Sequence, residues 1–396
     1  MKVLETGPCK IALASAVLAL AGSAATAGGL DRVSMPYAAL FESGTYAELS
    51  FGRVSSDVTG TFAPALGGGS TGDMAGDYST LSFAFRNDLS DALSYAFFVN
   101  TPYNADADYR SGPYTGLNAK WDSTQAALVL RYRINPAVSV YGGARYVSSK
   151  ASINVPDALV RGGLAAAGAA GNVQAGQIAT LSPAGSLAYA ASASQDGKFG
   201  VIVGAAFEQP EIALRVGLTY ESRIRHDFPT TEAVASPFVT DLFGSSSTEI
   251  ELPQTLTLDF QSGVAKDTLV FGSVRWAEWS QWDVRPIGYE TLTGGNVTDF
   301  EDDVFTWQLG VGRKISDMLS VFARATYETT QGTISSPLSP TDGVTSIGFG
   351  GTWRKDALKV TGGVEYAWLG NAVDGSGTQF QDNRALGFGL TVGYNF

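Results

Sequence analysis

The sequence predicts an all-β fold: a transmembrane antiparallel β-barrel of about 14 strands, with a short N-terminal plug segment and long extracellular loops. Three observations carry that expectation. Large apolar residues recur at every second position in segment after segment, which gives each segment one oily face and one small or polar face. The connections between segments alternate strictly between tight and long. The last segment runs to a terminal aromatic, Phe396, with no polar tail.

Residues 1–27 read as a secretory signal, with Lys2 and Lys10, an apolar run over 11–21, and Ala25-Thr26-Ala27 before Gly28. That run is short for a spanning helix, and no later stretch reaches the roughly 18 uncharged apolar residues such a helix needs. Any membrane location therefore has to be built from strands. The single cysteine, Cys9, lies within the signal, so disulfides and thiol chemistry are not expected beyond it. A net charge of −12 argues against nucleic acid as a partner. Residues 28–44 follow as the plug segment, and 45–396 as the barrel.

The strands come in order. The first lies near 45–55, then Leu81/Phe83/Phe85 alternates with Ser82/Ala84/Arg86, and Leu93/Tyr95/Phe97/Val99 follows. Ala126/Leu128/Leu130/Tyr132 turns at Asn135-Pro136 into 138–146. Val201/Val203/Ala205/Phe207 turns at Gln209-Pro210-Glu211 into Ile212/Leu214/Val216/Leu218/Tyr220. Leu256/Leu258/Phe260 leads through Lys266-Asp267 into 269–282. Phe305/Trp307/Leu309/Val311 turns at Ser316-Asp317 into Leu319/Val321/Ala323/Ala325/Tyr327. Ile347/Phe349/Gly351/Trp353 turns at Lys355-Asp356 into Val360/Val364/Tyr366/Trp368, and Leu386/Phe388/Leu390/Val392/Tyr394/Phe396 closes the set. Aromatics near strand ends, such as Tyr132, Trp353, Trp368 and Tyr394, fit interface girdles.

The tight connections fall near Leu89, Asn135, Gln209, Lys266, Ser316 and Asp356. The long ones cover 59–77, 101–118, 151–196, 226–248, 283–301, 331–342 and 370–383. A Greek-key sandwich does not sort its loops this way, whereas an outer-membrane barrel does. Two long loops carry apolar residues: Leu159 and Leu164 in 151–196, and Phe228, Phe238, Leu242 and Phe243 in 226–248. Oily residues at a barrel rim are expected either to pack together as a lid or to capture hydrophobic molecules.

Several short motifs occur in a fixed order: Asn100-Thr101-Pro102-Tyr103, Ile134-Asn135-Pro136-Ala137, Leu252-Pro253, the run from Trp276 to Trp282, and the Tyr394-Asn395-Phe396 ending. With them the chain resembles the FadL/TodX family of outer-membrane transporters for long-chain fatty acids and other hydrophobic compounds, over nearly its whole length. The resemblance implies an N-terminal hatch, external loops that collect ligand, and an inward kink in the third strand that opens a lateral exit. Here that kink falls at Asn100, Pro102 and Tyr103. The chain departs from the family in having only 28–44 before the first strand, where the family carries a longer hatch. Pro36-Tyr37-Ala38-Ala39-Leu40 is the nearest match, so Pro36, Leu40 and Phe41 are the expected plug residues.

With the oily faces toward lipid, Arg86, Arg131, Arg215, Arg324 and Arg354 face the lumen beside Glu48, Glu208, Glu221, Asp259 and Glu365. They are expected to form an ion-paired lattice bracing the wall, or to offer one or two arginines to a fatty-acid carboxylate through a bidentate contact. Arg215 and Arg324 are the candidates. No catalytic triad order, paired-histidine spacing or phosphate loop stands out, and His226 reads as a solvated loop histidine, so neither an enzyme nor a cofactor is expected. The acidic run Asp299-Glu301-Asp302-Asp303 could bridge lipopolysaccharide through divalent cations, or simply start a strand. The expected function is passive outer-membrane transport of long-chain fatty acids or other hydrophobic compounds by a monomer. The alternatives are a water-filled diffusion porin, which a short hatch would permit, and an adhesive barrel.

Overall fold

A computed structural model describes residues 30–396 apart from Gln331 and Thr333; the expected signal, 1–27, lies outside the described residues. Seventeen strand segments join in one sheet. Three consecutive pairs of segments each continue a single wall strand, which leaves a wall of fourteen. These are β1 (Tyr46–Asp57), β2 (Tyr78–Asp88), β3 (Leu93–Asn100 continued by Asn104–Asp108), β4 (Asn118–Arg133), β5 (Val138–Val155), β6 (Tyr189–Gln209) and β7 (Leu214–Glu221 continued by Ile224–Val234). There follow β8 (Ser245–Leu252 continued by Thr255–Ala265), β9 (Thr268–Ala277), β10 (Val304–Lys314), β11 (Leu319–Glu328), β12 (Val344–Lys355), β13 (Leu358–Leu369) and β14 (Arg384–Asn395). Every neighbour is antiparallel, and β14 pairs with β1 from Tyr46↔Asn395 to Asp57↔Arg384, which closes the barrel.

Alternation decides which way each side chain points. On β14 the outward set Leu386, Phe388, Leu390, Val392 and Tyr394 is exposed, while Gly387, Gly389, Thr391 and Gly393 face in. The same holds on β10, where Trp307, Leu309 and Val311 stand outward at about half exposure. Each such side chain would cost about 1.5–3 kcal/mol if left in water, so a ring of them is stable only against lipid. Inward-facing polar groups pair instead: Ser50 with Thr391 at 2.8 Å and Thr352 with Thr361 at 3.0 Å across strands, and Lys359 with Glu42 of the N-terminal segment at 2.9 Å.

The tight turns are made by residues suited to them. Asn135 Oδ1 accepts from the backbone of Ala137 and Val138, both at 2.9 Å, which folds the chain between β4 and β5. Asp267 and Asp356 take the left-handed conformation at φ +58° and +52°, a region that Asp tolerates better than most residues. All long connections lie at the other end, which an outer-membrane barrel turns to the extracellular side.

Two expected loops are shorter than the sequence suggested. Strand structure continues to Val155 on β5, resumes at Tyr189 on β6, and occupies Ile224–Val234 and Ser245–Leu252 on β7 and β8. Only 156–188 and 235–244 are true loops. Above the bilayer the outward face need not be oily, and here it carries Arg225, Asp227, Glu249 and Glu251. The apolar period that marks the spanning part is therefore lost, although the strand is not. His226 is correspondingly not a solvated loop residue: it is fully buried, faces inward, and shares a 2.8 Å hydrogen bond between Nδ1 and Asp196.

Candidate functional site

Residues 30–44 run among the inward-facing side chains of the wall. Backbone pairing ties their start to β3: Arg32 N–H donates to the Pro102 carbonyl at 2.8 Å, and Asn104 N–H to the Leu30 carbonyl at 2.9 Å. Asp31 accepts from Arg275 Nη1 and Nη2 of β9 at 2.8 and 3.1 Å, and from Trp279 Nε1 at 3.1 Å. Asn100 holds the Val33 carbonyl at 2.8 Å. In a short 3-10 turn, Tyr37–Phe41, the Tyr37 ring packs 5.9 Å from that of Phe98 on β3 and its hydroxyl donates to Glu221 of β7 at 2.7 Å. Glu221 is also bound by the buried Arg145 at 2.5 Å. Leu40 is fully buried, with its carbonyl 3.3 Å from Arg131, and the guanidiniums of Arg131 and Arg215 lie 4.3 and 4.5 Å from the Phe41 ring centroid. Pro36 caps the start of the turn and lines the cavity beside it.

The same stretch explains a break in the wall. Three residues, Thr101 to Tyr103, interrupt β3 where its partner β4 carries only Ser123 and Thr124, because β4 pairs Gln125 with Asn100 and Asp122 with Asn104. The extra residue turns the backbone inward, as a bulge does, and the residue before Pro102 is pushed to extended geometry. Tyr103 is buried 5.9 Å from the Trp279 ring. On the other side, β2 pairs with β3 only from Phe83 to Asp88. Among the described residues, its outer part from Tyr78 to Ser82 has no cross-strand partner toward β3.

Two cavities flank this node. The outer one, about 100 Å³, is apolar and lined by Leu30, Ala119, Trp121, Ile250, Trp282 and Phe300 among others. Trp121 packs edge-on against Trp282 and Phe228, with centroids at 4.9 and 5.4 Å. The inner one, about 200 Å³, is polar and is bounded by 31–38 and Phe41 together with Arg215, Asp259, Arg275, Gln308 and Arg324. Near the short-turn end, Phe271 and Phe322 fill the lumen as buried side chains.

The expected capture residues divide. Phe238 and Leu242 are exposed at the long-loop end, as are Leu181 of helix α2 (Val173–Leu181) and Ile287 of α3 (Ile287–Thr293). Leu164 is buried and Leu159 half-buried within the packing of α1 (Asp157–Ala169), and Phe243 packs 6.1 Å from the Tyr189 ring. Phe228 is fully buried on β7 and belongs to the wall of aromatics, not to a loop. Leu159, Leu164 and Phe243 belong to one apolar cluster under the long loops, separate from that of Phe228. The two candidate arginines also differ. Arg324 is engaged by Glu365, which also accepts from Ser346. Arg215 is only 6% exposed yet, among the described residues, has neither a hydrogen bond nor an ion pair. Asp31, Arg145 and Arg275 escape a reading of the sequence, although the same period places both arginines inward: Arg275 between Val274 and Trp276, Arg145 between Ala144 and Tyr146.

A family model described as outer membrane protein transport protein (OMPP1/FadL/TodX) matches residues 12–396. Among solved structures, a Pseudomonas aeruginosa FadL homologue is similar, with TM-score 0.71 at 14% identity over 91% of this chain and 92% of that one. The Pseudomonas putida toluene transporter TodX gives 0.64 at 12% identity over 95% and 99%, and the Ralstonia pickettii toluene transporter TbuX gives 0.60 at 12% over 96% and 100%. No curated protein matches by sequence.

Proposed function

This chain belongs to the outer membrane protein transport protein (OMPP1/FadL/TodX) family, whose members are channels rather than enzymes, and from that premise we propose that it carries long-chain fatty acids, or hydrophobic compounds of similar shape, passively across the Gram-negative outer membrane. Residues 1–27 serve as its export signal and 28–44 as the plug of the barrel formed by 45–396. Phe238 and Leu242 capture the ligand at the crown. The tail then enters the apolar cavity against Trp121 and Trp282, where each methylene leaving water contributes about 0.8 kcal/mol. The carboxylate reaches the polar cavity and meets Arg215 through a bidentate contact. Release runs sideways through the break between the outer part of β2 and residues 101–103, once 30–33 let go of β3. The carrying observation is the junction itself: Leu30 lines the apolar cavity and Asp31 the polar one, so a single amphiphile can occupy both.

The wall's outer girdle is taken to sit in lipid and lipopolysaccharide, and the protein to act as a monomer. Titrating a C16 fatty acid into the purified protein should quench emission from Trp121 and Trp282. Planar-bilayer recording of the same sample should show no steady ionic current; ohmic conductance without ligand quenching would mean a diffusion porin instead.

A further inference from the structure

Beside the proposed carboxylate contact at Arg215 stands a second charge, Asp259, whose role depends on Arg215 receiving the carboxylate. The carboxylates whose charges reach Arg215 are those of Glu208, Asp259 and Glu42. Glu208 is tied to Arg131, and Glu42 is held by Lys359 at 2.9 Å. Asp259 has no such tie: among the described residues it makes no hydrogen bond and no ion pair, Arg215 included. The two side chains face the same polar cavity from adjacent strands. In the register of β7 against β8, Asp259 pairs with Gly217 and Gln261 with Arg215. Arg215 and Asp259 are therefore diagonal neighbours on the inner face, with backbones about 7–8 Å apart.

An ion lattice that only braced the wall would have closed this gap, as it does at Arg324–Glu365 and Arg145–Glu221. Withdrawing charges from bulk water without pairing them is costly. A guanidinium that can only donate stands beside a carboxylate that can only accept. A plain carboxylate satisfies the first and is repelled by the second. A head group carrying a hydrogen-bond donor one or two carbons from its carboxylate satisfies both.

We infer that Arg215 and Asp259 form one head-group subsite, selective for amphiphilic acids with a hydroxyl beside the carboxylate over plain fatty acids of equal length. Arg215 binds the carboxylate and Asp259 accepts from the hydroxyl. The test uses the full-length protein in lipid nanodiscs, with binding read by tryptophan quenching for three probes of one chain length: decanoate, 3-hydroxydecanoate and decane. The wild type is expected to bind the hydroxy acid about tenfold more tightly than decanoate, the effect of one hydrogen bond to a charged acceptor. In Asp259→Ala this preference should fall to about unity, partly because decanoate binds better once the repulsion is gone. Asp259→Asn, which keeps the shape and an acceptor oxygen, should retain part of it. Decane binding reports whether the apolar cavity is intact and should be unchanged in each. Equal affinity for the two acids in the wild type, or an undiminished preference in Asp259→Ala, would overturn the inference and leave the Arg215 contact standing. If Arg215→Gln binds decanoate as the wild type does, the underlying head-group reading fails as well.

Discussion

Gly393 shows how little freedom a single inward position has at the closing seam. A Cβ there would meet the Tyr46 hydroxyl at 2.2 Å, and Tyr46 is buried with that hydroxyl 2.8 Å from Glu48. Gly393→Ala is expected to lower barrel stability by about 1–3 kcal/mol through overpacking, visible as a lower temperature of heat-induced unfolding on gels. His226 makes a second case. It lies above the bilayer, where burial among Trp121 and Phe228 lowers its imidazole pKa although Asp196 opposes the shift. The folded protein therefore binds this proton less readily than the unfolded chain. Its stabilising contribution is complete above the ordinary value of about 6.5 and declines as the pH falls from there through the lower folded value. Protection factors along 224–234, which correct for the slower intrinsic exchange in acid, should fall at pH 5 relative to pH 7.5, and His226→Asn should remove the difference. Residue types alone do not reveal this histidine's burial, because its neighbours Arg225 and Asp227 make the segment read as a polar loop.

Strands and their connections are the most legible level. A two-residue period with oily outward positions recovers a strand wherever lipid covers it, and Asn135-Pro136 or Lys266-Asp267 marks the turn by local chemistry. The period fails where water replaces lipid, which is why the extensions of β5 to β8 read as loops in the sequence and Phe228 as a loop residue. The inward pairs obey the same alternation but carry no local signature of who pairs with whom. Arg324 and Glu365 sit 41 positions apart in sequence and meet only because β11, β12 and β13 are neighbours. Glu365→Gln takes the counter-charge from the buried Arg324 guanidinium and is expected to cost about 3–5 kcal/mol, measurable by the same unfolding assay, whereas Arg215→Gln, which gives up a place over the Phe41 ring but no ion pair, should cost far less. The N-terminal segment is an element of a different kind, held by a few polar ties and by the buried side chains of Met35 and Leu40. Asp31→Asn removes the counter-charge of Arg275 and weakens the segment's hold on β9, so brief ionic openings should appear in planar-bilayer recordings where the wild type is silent.

At the scale of the whole molecule, one apolar and one polar compartment lie on either side of Leu30-Asp31 inside a closed wall, and β3 is interrupted beside them. The closed barrel follows from alternation and loop sorting. The compartments do not, because they depend on how 30–44 folds back among side chains from most of the strands. The central claim is passage of hydrophobic compounds through the apolar compartment. It is tested most directly by the rate at which a radiolabelled C16 fatty acid enters proteoliposomes containing the wild type or Ala119→Phe, whose added ring fills the space beside Trp121. The expected result is rapid uptake with the wild type and at least about tenfold slower uptake with the variant, both proteins unfolding at similar temperatures. Uptake by the two at the same rate would contradict it.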